Sequence, residues 1–199
     1  GALKMGFRGG TVLEPGAGVG LFLAMQPQDT RTGARQAIEM DAATAAILNA
    51  LNPKTKVVHD TLASVRLVPD SVDLVIGNPP FSSSAVSIPV DQQSRAIHDP
   101  LLPQGYGGPT QQLHNYFFGR SIHALRPGGI LMFVTSQFTM DNQKASGEKA
   151  RLWMARHAKL VSGIRLPGGV FGDSSNTAVG TDILVFQKRE SPISEEDAK

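Results

Sequence analysis

The sequence contains no cysteine, which removes disulfides, cysteine-ligated zinc, iron–sulfur clusters and thiol nucleophiles from consideration. No apolar run is long enough to cross a bilayer, and the first residues lack the basic-then-apolar layout of a secretion signal, so a cytoplasmic protein is expected. Charge is also in short supply. The 19 basic residues exceed the 17 acidic ones by only +2, less than a domain gripping nucleic acid unaided would carry. The histidines (His59, His98, His114, His123 and His157) fall at no metal-ligating spacing, and no metal is expected. What is present is material for a core: 41% hydrophobic and 18% charged residues exclude a disordered chain, and 199 residues suffice for one α/β domain.

Short β-branched and aliphatic runs alternate with helix-like stretches, the pattern of a mainly parallel sheet covered on both faces. Seven strands are predicted, at Thr11–Glu14, Gln36–Glu39, Lys56–His59, Val72–Ile76, Ile130–Thr135, Leu160–Leu166 and Asp182–Gln187. Helical spacing marks Asp41–Leu51, with Asp41 as N-cap, and also Gln112–Leu125 and Lys144–His157. Arg126-Pro127-Gly128-Gly129 stops the second of these and turns it into the strand at Ile130. The stretch Ser82–Thr110, with three consecutive serines, four prolines and Gly105-Tyr106-Gly107-Gly108, reads as a long loop, either a substrate-contacting flap or an insertion. The domain is expected to fill residues 1–190, with the loop at 82–110 over its site and 191–199 as a flexible tail.

The first strand runs into a glycine-rich turn, Glu14-Pro15-Gly16-Ala17-Gly18-Val19-Gly20. Glycines there let backbone approach a ligand and adopt positive φ, although such turns also serve plain strand-to-helix packing. The spacing differs from the dinucleotide fingerprint, which has two residues between its last glycines. Acidic residues strengthen the reading. Glu39, about 20 residues on at the end of the second strand, sits where a carboxylate accepts bonds from ribose hydroxyls. Asp60, after the third strand, is placed to accept from an adenine amino group, or to cap a helix. One acidic residue follows each of three consecutive strands, all at the carboxyl edge where open α/β sheets bind ligands.

A fourth strand then ends abruptly in Asn78-Pro79-Pro80-Phe81 at the same edge. Two prolines fix φ and remove backbone donors, so Asn78 and the carbonyls that follow it are held rigidly with acceptors free. That suits a nitrogen whose lone pair is delocalised into an aromatic ring. Acceptors on its two N–H bonds favour the pyramidal form that attacks, and so stabilise the transition state above the ground state. The Asn78 side-chain oxygen and the Pro79 carbonyl are the candidate acceptors. Phe81 would stack on the ring, and a base would have to flip out of a duplex to reach it.

With these two motifs in this order, the chain resembles the N6-adenine DNA methyltransferases of the Asn-Pro-Pro-Phe type. It is most similar to the methylase domains of large helicase-linked phage and mobile-element proteins, from Thr11 to about Lys188. The resemblance implies the seven-stranded, Rossmann-like class I methyltransferase sheet, order 3-2-1-4-5-7-6 with the last strand antiparallel. It also implies S-adenosylmethionine as cofactor and DNA as substrate. On this likeness the cofactor site takes Glu14, Gly16, Ala17, Gly18, Gly20, Glu39 and Asp60, and the target amine takes Asn78, Pro79, Pro80 and Phe81. Arg165-Leu166-Pro167 with Phe171 resembles the family's late motif, which makes Phe171 the candidate for holding the flipped base, or else a core or turn residue.

Two departures matter. Only ten residues precede Thr11, so the family's upstream motif, which packs on the methionine end of the cofactor, is expected to lie in a longer protein or to be missing. No segment is large enough for a target-recognition domain, so further domains or subunits are expected to supply DNA recognition. Rival readings are a glutamine N5 protein methyltransferase, which usually carries Tyr where Phe81 stands, a cytosine-N4 or RNA methyltransferase, and an inactive fold that binds DNA or a partner.

Overall fold

A computed structural model of the chain describes residues 2–80, 113–167 and 180–199; Phe81, the stretch Ser82–Thr110 and Phe171 lie outside them. The elements in order are β1 (Val12–Pro15), α1 (Leu21–Ala24), β2 (Arg35–Glu39), α2 (Ala42–Leu51), β3 (Lys56–His59), β4 (Val72–Gly77), α3 (Leu113–Ala124), β5 (Leu125–Ser136), α4 (Phe138–Asp141), α5 (Ala145–His157), β6 (Ala158–Arg165) and β7 (Thr181–Lys188). The strands form one seven-stranded sheet ordered β3-β2-β1-β4-β5-β7-β6. Pairing is parallel from β3 to β5, and β7 runs antiparallel to both β5 and β6. This is the class I methyltransferase sheet that the resemblance implied.

Alternation along each strand sends neighbours to opposite faces. Leu13, Ile38, Val75, Leu131, Phe133 and Phe186 meet α3 and α5 on one face; Val12, Ala37, Leu74, Ile130 and Val185 meet Leu23 of α1 and Leu48 of α2 on the other. On the first face Phe118 packs edge-on against Phe133 and Phe186, with ring centroids 5.0 and 5.7 Å away. Burying such a ring contributes about 2–3 kcal/mol. Among the described residues no helix is long and apolar enough to cross a membrane.

Three local details add to the sequence reading. β5 begins at Leu125, not Ile130: Leu125 pairs with Val72 and Ile130 with Leu74, so residues 126–129 bulge out opposite Asp73. Pro127 has no N–H to offer the ladder, Gly128 takes φ 74°, and the Arg126 side chain folds back onto the Asp73 carboxylate. Asp41 stands at the N-cap of α2, but its carboxylate accepts from the Thr44 hydroxyl (3.2 Å) and caps no helix N–H. In the tail, Ile193 exchanges bonds with Arg156: its N–H donates to the Arg156 carbonyl (3.0 Å) and its carbonyl accepts from the Arg156 guanidinium (3.1 Å).

Candidate active site

The carboxyl edge gathers the ends of β1, β2, β3 and β4. β1 delivers the chain into the glycine turn, where Gly16, Gly18 and Gly20 have φ of 62°, 54° and 79°. At two of them a side chain would also be crowded. A Cβ on Gly16 would lie 3.1 Å from the Phe117 ring, and one on Gly20 would collide with the Leu48 side chain. Between them, buried Ala17 donates its N–H to the Ile38 carbonyl (2.9 Å), tying the turn to β2.

Glu39, at the end of β2, holds the turn a second way. One carboxylate oxygen accepts the Gly18 N–H (2.8 Å) and the other the Asp41 N–H (2.9 Å), so a single side chain clamps the glycine turn to the start of α2. Glu14 lies beneath, only 2% exposed, and accepts the Leu23 N–H at 3.0 Å. Burial pushes its carboxyl up to about 7, against the pull of the Leu23 and Phe22 N–H groups, which favour the ionised form. Glu14 thus supports the turn from below, and it is absent from the lining of the cavity above.

That cavity, of about 280 Å³, is where the sequence candidates meet. Gly16, Gly18, Glu39 and Asp60 line it together with Asn78 and Pro80. Asp60 is exposed and accepts the N–H of Thr61 (2.7 Å). Pro79 is buried behind Asn78, and Gly77 brings β4 close under β1: a Cβ there would sit 3.4 Å from the Pro15 carbonyl oxygen. Gly20 caps α1 and does not line the cavity.

Sequence reasoning missed the remaining wall. Tyr116 and Phe117 of α3 line the cavity with Leu113, as do Ile38, Met40, Thr61, Leu62 and Ala63. Gly16 lies against both the Phe117 ring and Pro80, so the glycine turn meets α3 and the Asn-Pro-Pro segment at one point. Arg120, one turn further along α3, donates to the Val65 carbonyl at 2.6 Å and so fixes the 61–65 turn to the same helix. A signal did exist: Leu113, Tyr116 and Phe117 are spaced i, i+3, i+4 on one helical face.

The described walls are apolar and aromatic, with carboxylates at one end, an amide at the other and no basic side chain. Such a lining suits a ligand that presents hydroxyl and amino donors and positive charge. A sulfonium nucleoside has the matching chemistry. No group of three or more His, Asp or Glu placed to hold a metal occurs among the described residues.

Residues 28–171 match the Eco57I restriction-modification methylases. The chain belongs to that family. Its fold is shared with a protein from Listeria monocytogenes assigned to the class I S-adenosylmethionine-dependent methyltransferases, at TM-score 0.72 and 17% identity over 94% of this chain and 56% of that one. The methyltransferase subunit of a type I restriction-modification system from Streptococcus thermophilus gives 0.67 and 17%, over 93% of this chain and 41% of the subunit. The ATP-dependent type ISP restriction-modification enzyme LlaBIII, solved bound to DNA, gives 0.59 and 12%, over 90% and 16%. The chain therefore spans about half the length of the first two. No curated protein matches it significantly in sequence. S-adenosylmethionine is the cofactor that goes with this family and fold.

Proposed function

We propose that this methylase transfers a methyl group from S-adenosylmethionine to the N6 amine of an adenine flipped out of DNA. One observation carries the reading: Asn78 and Pro80 line the same cavity as Gly16, Gly18 and Glu39, so the candidate amine-binding segment and the candidate cofactor turn share a single space. Membership of a restriction-modification methylase family supports DNA as the substrate, as does the fold shared with an enzyme solved on DNA.

In this reading Glu39 takes the ribose hydroxyls, Asp60 takes the adenine amino group, and Pro80, Phe117 and Met40 provide the apolar slot for the cofactor's ring. The bound sulfonium supplies an already activated methyl group. The protein's part is alignment and two hydrogen bonds. The Asn78 side-chain oxygen and the Pro79 carbonyl accept the two N–H bonds of the target amine, localise its lone pair and aim it at the methyl carbon. Phe81 stacks on the flipped base, and Phe171 is the candidate that helps to hold it. Further domains or subunits contribute DNA recognition.

The test is tritium transfer from labelled S-adenosylmethionine to DNA, RNA and release-factor protein in parallel, followed by nucleoside digestion and mass spectrometry. The expected product is N6-methyladenine in DNA. Asn78→Ala should lower transfer at least about a hundredfold, the usual cost of one transition-state hydrogen-bonding group, and leave cofactor binding nearly intact. N4-methylcytosine, or label confined to RNA or to a glutamine side chain, would replace the adenine assignment. Tight cofactor binding without transfer to any of the three would favour the non-catalytic reading.

A further inference from the structure

At the carboxyl edge one strand over from the Asn-Pro-Pro segment, an aromatic ring is presented to solvent on a firmly braced turn. Gly77 lies beside Phe133 in the sheet, so Ser136, three residues further along β5, stands roughly 10 Å beyond Gly77 toward the substrate side. Phe138, two residues beyond Ser136, is the first residue of α4, and it is 38% exposed.

A single exposed apolar side chain on a surface needs no explanation; this one has three particular features. It stands beyond the end of β5, the strand beside the one that ends at Asn78. Its turn is also held from four sides. The Phe138 N–H donates to the Ser136 hydroxyl (3.2 Å), and beneath it the buried hydroxyls of Thr135 and Thr139 share a bond of 2.9 Å. The Gln137 N–H donates to the Gly180 carbonyl (2.8 Å), and Asp141 pairs at 3.0 Å with Arg165, which Asp182 holds in a bidentate grip at 2.9 and 3.0 Å. Finally, the bracing buries its neighbour and leaves this residue exposed: Thr139 is 1% exposed and Phe138 38%. The turn spends its bonds on fixing a backbone that displays an aromatic face.

Resting on the reading of the site as a DNA methylase, we infer that Phe138 is a substrate-contacting residue that stacks on a nucleobase of the target strand, outside the pocket that takes the methylated base. A base offers the flat, weakly solvated surface that such a ring suits, without demanding a particular sequence.

The experiment compares wild type, Phe138→Ala and Phe138→Tyr for methyl transfer to duplex DNA and for binding of a fluorescent single-stranded oligonucleotide, with calorimetry of cofactor binding and a thermal melt of each protein. Phe138→Ala should raise KM for DNA and weaken oligonucleotide binding about tenfold, as loss of one stacked base does, with the cofactor Kd unchanged. Phe138→Tyr, which keeps the ring, should restore both. Wild-type behaviour of Phe138→Ala on DNA overturns the assignment, as does an equal loss of cofactor affinity or of melting temperature in both variants, which marks a structural role. Wild-type protein that labels protein but no nucleic acid removes the DNA reading itself, and the base falls with it as the partner of Phe138.

Discussion

Replacing Glu14 by glutamine should make the stability of this domain less sensitive to pH around neutrality. In the folded protein the carboxyl is 2% exposed and titrates at about 7, against 4.5 for the ordinary group. Between those values the unfolded chain has released its proton while the folded chain still holds one, so stability falls as pH rises. The favourable contribution of the neutral acid is complete below 4.5 and lost above 7. A gap of about 2.5 pH units at about 1.4 kcal/mol each amounts to about 3 kcal/mol. Glutamine is nearly isosteric, cannot ionise, and keeps an oxygen for the Leu23 N–H. Paired melts at pH 4.5, 6, 7 and 8 should show the variant gaining about 3 kcal/mol on wild type across the series, or about 6–12 °C for a domain of this size. Every other titrating group is common to both proteins and cancels in the difference. Parallel profiles would refute the reasoning, because they would mean that the buried carboxyl titrates in the fold as it does in the unfolded chain.

Glu39→Ala should weaken S-adenosylmethionine binding at least tenfold, as expected for losing hydrogen bonds to a charged group worth about 1.5–3 kcal/mol each; calorimetry showing unchanged affinity would remove Glu39 from the site. His114, 1% exposed with neither ring nitrogen hydrogen-bonded, has its pKa lowered to about 4 by burial. Its depressed value places the loss of stability on the acid side, from pH 6.5 down to 4, and His114→Phe should resist acid unfolding in that window by up to about 3 kcal/mol, measured by urea melts at pH 4.5 and 7.

Much of the architecture was legible because period and composition agree at each strand: Lys56–His59 was placed without error, and α2, α3 and α5 to within a residue at most ends. The glycine turn and the acidic residues after it were readable because their spacing along one edge is set by the strands themselves. The β5 bulge was not, since it depends on Asp73 and Arg126, 53 residues apart, meeting across two strands. Nor was the double duty of Glu39 visible, because its Gly18 partner becomes a neighbour only when β1 and β2 pair. Tyr116 and Phe117 escaped for a different reason: their helical spacing looks the same whether the face meets a core or a cavity.

Glu39 has a final implication for what can dock beside it. A carboxylate offers about four lone-pair sites, and the N–H groups of Gly18 and Asp41 occupy one on each oxygen. One vacancy per oxygen is left, the complement of a vicinal diol, so a sugar bearing both hydroxyls can be received without unfastening the turn that greets it. A deoxyribose, with one hydroxyl fewer, would leave half of that welcome unanswered.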